Sequence, residues 1–453
     1  MPRLRARSST NQHAAQFMPL FYSTNNRLAR VTLEEAVITG LAPDGGLYMP
    51  EDIPQLPRAF IDNMAAMSLH EVAYAVIYYA LQGDVPSHAL KDIIARTFNF
   101  DIPLVRTRGG RFVLELFHGP TMAFKDVGAR FMARLLAHYH SRHREWRTIH
   151  VLVPTSGDTG SAVACSFLNL PGVKVHVLFP RGQVNQLQQA QFSTLGGNVT
   201  ALEVNGSFDD CKQLVAQAFA DDTLARDMLL TTATSINVAR LLPQMVYYFY
   251  AYAQLRASDV PTDRVVVSVP CANLGNLVSG IMAQRMGLPL TRFVSAENQN
   301  NIFYNYLRSG QFVPRASVES IAPALDAGDP TNFPRVQALT GSLDEARKLI
   351  HGYSYTDSHL IETMRTAYHA ERYLLDPHSA AAYRALIEDL QPGETGVALA
   401  TAHPAKLLNT VQRIVGHELV VPAQLAARQH GKRRVRPMAS GYAAFRQYLT
   451  TQQ

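Results

Sequence analysis

A chain of 453 residues with 47% hydrophobic and 17% charged residues is globular and large enough for two or three domains, which excludes a disordered chain or a single small module. Its formal net charge of +6 is modest, and the basic clusters Arg3–Arg7, Arg142–Arg147 and Lys432–Arg436 carry no recognition motif, so solvated surface and anionic substrates are expected rather than nucleic acid. With no apolar run of about 18 residues no membrane span is expected, and three scattered cysteines, Cys165, Cys211 and Cys271, argue for a reducing compartment without disulfide framework or metal site.

In chain order, residues 1–20 read as an N-terminal extension. The first 33 residues hold five Arg and no Asp or Glu, a composition that organelle transit segments share with plain extensions. No amphipathic helix or secretory apolar run accompanies it, and a cytoplasmic location is the expectation. Residues 21–100 read as a mostly helical N-terminal region. Thr32 followed by Glu35 is a helix-start signature, residues 68–81 carry apolar side chains at helical spacing, and Gly40–Pro50 is a Gly, Asp and Pro-rich loop. From 101 to 453 the pattern changes. Apolar, β-branched runs at 149–154, 173–179, 199–204, 264–270, 292–296 and 397–401 alternate with helical stretches such as 161–168 and 211–220. This predicts an α/β region of two subdomains, one centred on residues 130–240, with mainly parallel sheets covered by helices on both faces.

Four motifs carry chemistry. The segment Phe117-His118-Gly119-Pro120-Thr121-Met122-Ala123-Phe124-Lys125 places a lysine in an apolar, bent setting at a helix start, where desolvation lowers its pKa and frees it to form an imine with an aldehyde. Ala272-Asn273-Leu274-Gly275-Asn276 follows a strand and opens a helix; its backbone N–H groups suit a phosphate, although a plain tight turn reads the same way. Ser156-Gly157-Asp158-Thr159-Gly160 also follows a strand and suits a carboxylate, or else only caps a helix. Thr401 ends a late strand, where its hydroxyl either meets a pyridine nitrogen or merely terminates the strand. An imine-forming lysine, a phosphate cradle, a carboxylate turn and a ring-nitrogen partner together fit one cofactor, pyridoxal phosphate.

Further markers follow in order: Gly40-Leu41-Ala42-Pro43-Asp44-Gly45-Gly46-Leu47-Tyr48, Ser235-Ile236-Asn237, Asp376-Pro377-His378 and Thr401-Ala402-His403-Pro404-Ala405-Lys406. From about Tyr22 onward the chain resembles the threonine synthases, in the longer form found in many bacteria and fungi. That family implies a type II pyridoxal phosphate fold, like that of the tryptophan synthase β chain. It implies conversion of O-phospho-L-homoserine and water to L-threonine and phosphate by γ-elimination and β-addition. By resemblance Lys125 is the Schiff-base lysine and proton shuttle, with Phe124 beside it. Asp158 meets the phenolic oxygen, Ala272, Asn273, Leu274, Gly275 and Asn276 hold the cofactor phosphate, and Thr401 meets the ring nitrogen. Thr155, Ser156 and Thr159 hold the substrate carboxylate, while Ser235 and Arg240 bind the substrate phosphate. The implied partner is a small amino-acid substrate, and the implied assembly a monomer or homodimer.

Several positions depart from the family pattern. Ala272 stands where the cofactor loop usually has glycine, so a left-handed backbone there would be strained by about 1 kcal/mol. Gln183 replaces a lysine and Thr234 an asparagine. Ala296-Glu297-Asn298-Gln299-Asn300-Asn301 and Ala322-Pro323-Ala324-Leu325-Asp326 are also altered. The changes fall on the side expected to hold the substrate phosphate. They leave open a relative acting on a different γ-substituted amino acid, for which the missing cation at Gln183 would account.

Overall fold

The computed structural model describes residues 19–143 and 147–452. Residues 1–18 of the expected extension, with Arg3–Arg7, lie outside them, as does part of the Arg142–Arg147 cluster. Three short strands, β1 (Leu20–Ser23), β2 (Asn26–Thr32) and β3 (Tyr48–Pro50), form a small antiparallel sheet in the order β2-β1-β3. The sequence reading of a mostly helical N-terminal region missed this sheet. No position of β2 is fully buried and five of its seven are exposed, so it lacks the apolar alternation that marks a half-buried strand. The helical part is as read: Thr32 Oγ1 accepts the Glu35 N–H at the first helix, and Ser68 and Glu71 form a reciprocal capping box at the helix Leu69–Ala80.

Two larger sheets follow. β4 (Leu104–Arg106) and β5 (Phe112–Glu115) precede β6 (Ile149–Pro154), β7 (Val173–Pro180), β8 (Val199–Asn205) and β9 (Leu229–Thr231). Then come β10 (Val265–Pro270), β11 (Leu290–Glu297), β12 (Ile350–Ser354), β13 (Thr395–Ala400) and β14 (Val435–Ala439). A six-stranded sheet runs β12-β11-β10-β13-β5-β4, and a five-stranded sheet runs β14-β8-β7-β6-β9. Every pairing in both is parallel except β4 with β5. The central strands are buried along their length, as a parallel sheet between helices requires. The mainly parallel α/β fold read from the sequence is the fold observed. Parallel sheets place their strand-to-helix turns at one edge. Those after β6 and β10, the residue after β13, and the loop leading from β5 to Lys125 come together there.

The five-stranded sheet also buries a hydrogen-bonded chain of polar groups. His150 on β6 and His176 on β7 are 2% and 1% exposed. Their rings stack at 5.3 Å, with His150 Nδ1 3.1 Å from His176 Nε2. His176 Nδ1 lies 2.8 Å from the Tyr448 hydroxyl on the C-terminal helix Tyr442–Thr450. Burial, reinforced by Lys174, pushes His150 down to about 4; burial, His150 and Lys174 push His176 down to about 3. Both rings are neutral when folded and gain a proton on unfolding below about pH 6.5, so their contribution is present above that pH and lost as pH falls toward 4. In thermal melts from pH 7 to pH 5, a His150→Asn/His176→Gln variant is expected to lose less stability on acidification than the parent. A parallel decline in both would show that the pair does not titrate.

Candidate active site

The chain leaves β5, bends through Gly119 and Pro120, and enters the helix Lys125–Arg142 with Lys125 as its first residue. A Cβ on Gly119 would lie 2.5 Å from Asp126 Oδ2, so only glycine lets this loop fold over that carboxylate. Asp126 in turn accepts the Thr121 N–H at 2.9 Å and its hydroxyl at 2.6 Å. The Phe124 N–H donates to Thr401 O at 2.9 Å, and the His403 N–H to Met122 O at 3.1 Å. The lysine loop is thereby clipped to the end of β13, which brings Thr401 to it.

Lys125, Phe124, Asp158, Thr159, Ser235, Arg240, Thr401 and the whole turn Ala272–Asn276 line one cavity of about 660 Å³, a volume that suits a cofactor with a small substrate. Lys125 Nζ stands 3.9 Å from Asp158 Oδ2 and 4.5 Å from the centre of the Phe124 ring, and its side chain is 19% exposed. Burial lowers its pKa; Asp158 opposes the fall, while the Lys406 and Arg240 cations add to it. Lys406 had appeared in the sequence only as the end of a motif. Here it is 1% exposed, with Nζ 2.6 Å from Asp158 Oδ1 and donating to Thr121 O at 2.8 Å. Burial alone would raise the Asp158 pKa, but Lys406 and Lys125 outweigh it and hold the carboxyl well below the usual range.

The turn after β10 opens the helix Gly275–Arg285, and no side chain among the described residues caps that helix. Its first N–H groups are left for an anion, at the positive end of the helix dipole. The strain expected at Ala272 is not there: Ala272 is absent from the residues of positive φ, and the left-handed residue is Leu274, at φ 60°. The Asn276 side chain is tied up behind the turn, with Nδ2 donating to Gln244 Oε1 at 3.0 Å and Oδ1 accepting from the Tyr248 hydroxyl at 2.6 Å.

Two residues expected on the substrate carboxylate do not reach the cavity wall. The Thr155 hydroxyl is buried within its own turn, where it accepts the Gly157 and Gly160 N–H groups at 2.9 and 2.8 Å, and Ser156 faces solvent. Gln183 is likewise exposed and outside the cavity, so its missing charge is not missing from the site. Lys212 and Arg315 line the cavity instead. Arg240 is 3% exposed. It donates to Ala233 O and, at 3.4 Å, to Lys125 O; its Nε has no partner, and no carboxylate pairs with it among the described residues. Burial lowers it to about 10, so it stays charged at neutral pH. A Cβ on Gly128 would meet Arg240 O at 2.8 Å and Nε at 2.9 Å; a glycine in the first turn after Lys125 admits the arginine there. His378 ends the motif Asp376-Pro377-His378. It also lines the cavity, bonded to Asp376 through Nδ1 and accepting the Ala324 N–H on Nε2 at 3.1 Å.

The family model described as pyridoxal-phosphate dependent enzyme matches residues 101–402. Models for the threonine synthase N terminus and C-terminal region match residues 20–98 and 379–449. The threonine synthase of Escherichia coli is 37% identical over 95% of this chain and 99% of its own. That of Haemophilus influenzae is 39% identical over 94% and 99%. The chain belongs to the threonine synthase family. The crystal structure of Escherichia coli threonine synthase superposes with a TM-score of 0.89, covering 96% of this chain and all of that one. That of threonine synthase with bound pyridoxal phosphate from Brucella melitensis is 33% identical and gives 0.88, covering 96% and 99%. Like the threonine synthases it matches, this chain is a pyridoxal phosphate enzyme with the type II fold.

Removing one partner of a buried ion pair costs about 3–5 kcal/mol. A Lys406→Met variant is accordingly expected to lose about that much unfolding free energy in denaturant titrations. A loss below about 1 kcal/mol would place Lys406 among ordinary surface pairs.

Proposed function

We propose that this chain makes L-threonine and phosphate from O-phospho-L-homoserine and water, with pyridoxal 5'-phosphate bound at Lys125. The observation that carries the reading is a single cavity lined by a desolvated amine and by two anion subsites: the uncapped helix start after Leu274 and the carboxylate-free guanidinium of Arg240. One anionic ligand would fill one subsite; a phosphorylated cofactor with a phosphorylated substrate fills both.

The residues present fit the cofactor. Lys125 would hold its aldehyde carbon, with Phe124 beside it, and the backbone from Ala272 to Asn276 would hold its phosphate. Asp158 would face the phenolic oxygen and Thr401 the ring nitrogen. Once bound, the cofactor supplies the electron sink for carbanion chemistry on amino acids. The chain supplies the rest. The Lys125 amine, its pKa lowered by burial and by the nearby cations, takes the substrate's α proton and returns protons where the product needs them. Thr159 and the turn around it would receive the substrate carboxylate. Ser235 and Arg240 would grip the distal phosphate and charge-stabilise it as it leaves the γ carbon. Leu41, Phe208 and Phe219 give the cavity apolar walls that keep water away until it is required at the β carbon.

The alternative of a differently γ-substituted substrate rested on Gln183 and Thr234. Gln183 lies outside the cavity while Thr234 lines it, and the likeness to threonine synthases over nearly the whole chain makes this alternative the less favoured reading. The cavity is formed within one chain, which supports a monomer or a homodimer of self-sufficient subunits. No helix among the described residues is long and apolar enough to cross a membrane. The three cysteines are unpaired, in keeping with a cytoplasmic location.

Incubation with phosphohomoserine is expected to release threonine and phosphate in equal amounts. Phosphate without threonine would refute the assignment. Lys125→Ala should fall below about a thousandth of the parental rate. Arg240→Met, by removing a charged hydrogen bond of about 1.5–3 kcal/mol, should lower kcat/KM by roughly 10- to 150-fold. Gln183→Lys, an exposed change, should leave kcat/KM within about twofold, and a large gain would restore the alternative substrate.

A further inference from the structure

Behind the cavity wall lies Arg335, with 0% exposure and no carboxylate partner among the described residues. Buried charges ordinarily come paired. This one uses all five of its N–H donors on neutral oxygens. Nε and Nη2 donate to Tyr48 O at 3.1 and 2.8 Å. Nη1 donates to Ser235 O at 3.1 Å and to Asn332 Oδ1 at 2.7 Å, and Nη2 to Ile236 O at 2.7 Å. Asn332, 0% exposed, passes the connection on: its Nδ2 donates to Ser235 Oγ at 3.2 Å and to Asn273 O at 2.9 Å. One guanidinium thus ties together the N-terminal sheet at Tyr48, the Ser235–Ile236 loop and the helix-start turn at Asn273.

We infer that Arg335 is a positioning residue for the substrate's distal phosphate, acting through Asn332 and the Ser235–Ile236 backbone. The inference rests on the functional reading above, and it adds a residue that touches neither substrate nor cavity. In a trans peptide the C=O and N–H point in opposite directions. With the Ser235 carbonyl fixed on Arg335, the Ile236 N–H is directed away from the arginine, and both Ser235 and Ile236 line the cavity. The Asn237 N–H is already used, closing a turn on Thr234 O at 3.2 Å. A cation on the carbonyl polarises the peptide and strengthens its N–H as a donor to an anion. The Asn332 amide donates to the Ser235 hydroxyl oxygen, which leaves the hydroxyl proton free to donate elsewhere. The uncompensated charge of Arg335 adds to that of Arg240, which is anchored on the same segment at Ala233 O. Lysine cannot replace it, because three rotating donors on one nitrogen do not span four fixed acceptors.

The test uses holoenzyme and two probes: inorganic phosphate, followed by calorimetry, and L-2-aminobutyrate, which carries the substrate's amino and carboxylate groups without a phosphate, followed by cofactor absorbance. Arg335→Lys and Asn332→Ala are each expected to weaken phosphate binding by about tenfold or more, as loss of a charge-assisted contact does. Each should raise the KM for phosphohomoserine more than it lowers kcat, with aminobutyrate affinity held within about twofold. Equal weakening of both probes would show a purely structural role and overturn the inference, as would unchanged phosphate binding. Should Arg335→Lys fail to fold, Asn332→Ala, which keeps the guanidinium, decides alone. A parent enzyme that binds phosphate and makes no threonine would refute the functional reading, while the phosphate arm would still decide this one.

Discussion

The site depends on one carboxylate shared by two lysines. Asp158 sits 2.6 Å from Lys406 and 3.9 Å from Lys125, in surroundings with little water. One negative charge cannot neutralise two ammonium groups. The closer lysine, held also by Thr121 O, takes the ion pair, and the more distant one is left in a pocket that penalises its charge. A lowered amine pKa at a helix start thus follows from burial first, with the cation of the neighbouring ion pair adding to it. Thr121 connects this pair to the loop itself, because its N–H and hydroxyl hold Asp126, whose own burial permits only glycine at position 119.

The fold supplies what the carboxylate cannot. Two mostly parallel sheets bring their strand ends to one cavity, and each turn there performs a different task. The turn after β10 presents bare N–H groups because Leu274 adopts a left-handed backbone and no side chain among the described residues caps the helix. The turn after β6 presents Asp158 because the Thr155 hydroxyl closes that turn from inside. The segment after β9 presents Arg240, which gains its place against Lys125 through the missing side chain at Gly128.

What could be read in the sequence, and what could not, follows the same lines. The strands β6, β7 and β10 are nearly unbroken apolar runs, and a parallel sheet is the architecture that buries such runs. Lys125, Asp158 and Thr401 stand in motifs whose chemistry could be read locally, Arg240 was reached only through the family resemblance, and the structure brings all four to one cavity. β2 escaped because it is exposed. β14 escaped because it is an edge strand with a proline at 437 and only Met438 buried. Thr155 reads as a ligand donor, and nothing local says that its hydroxyl turns inward. Ala272 drew attention by its composition, but backbone strain is a matter of dihedrals, and these placed it two residues on. Lys406 and Arg335 act through partners far away in the chain. Lys406 lies 248 positions from Asp158 and Arg335 100 positions from Ser235, so no sequence window contains either relationship.

The five-stranded sheet is not continuous in the chain. β8 ends at Asn205, and the strand that pairs with its outer edge, β14, does not begin until Val435. During synthesis the whole of the other large sheet must emerge before that edge is covered. For that interval β8 offers a row of unpaired backbone groups, a ready template for a wrong partner. The helix Tyr442–Thr450 that follows β14 brings Tyr448 to the buried imidazoles, so the hydrogen-bonded chain begun on β6 and β7 is closed only by a residue made 272 positions after His176.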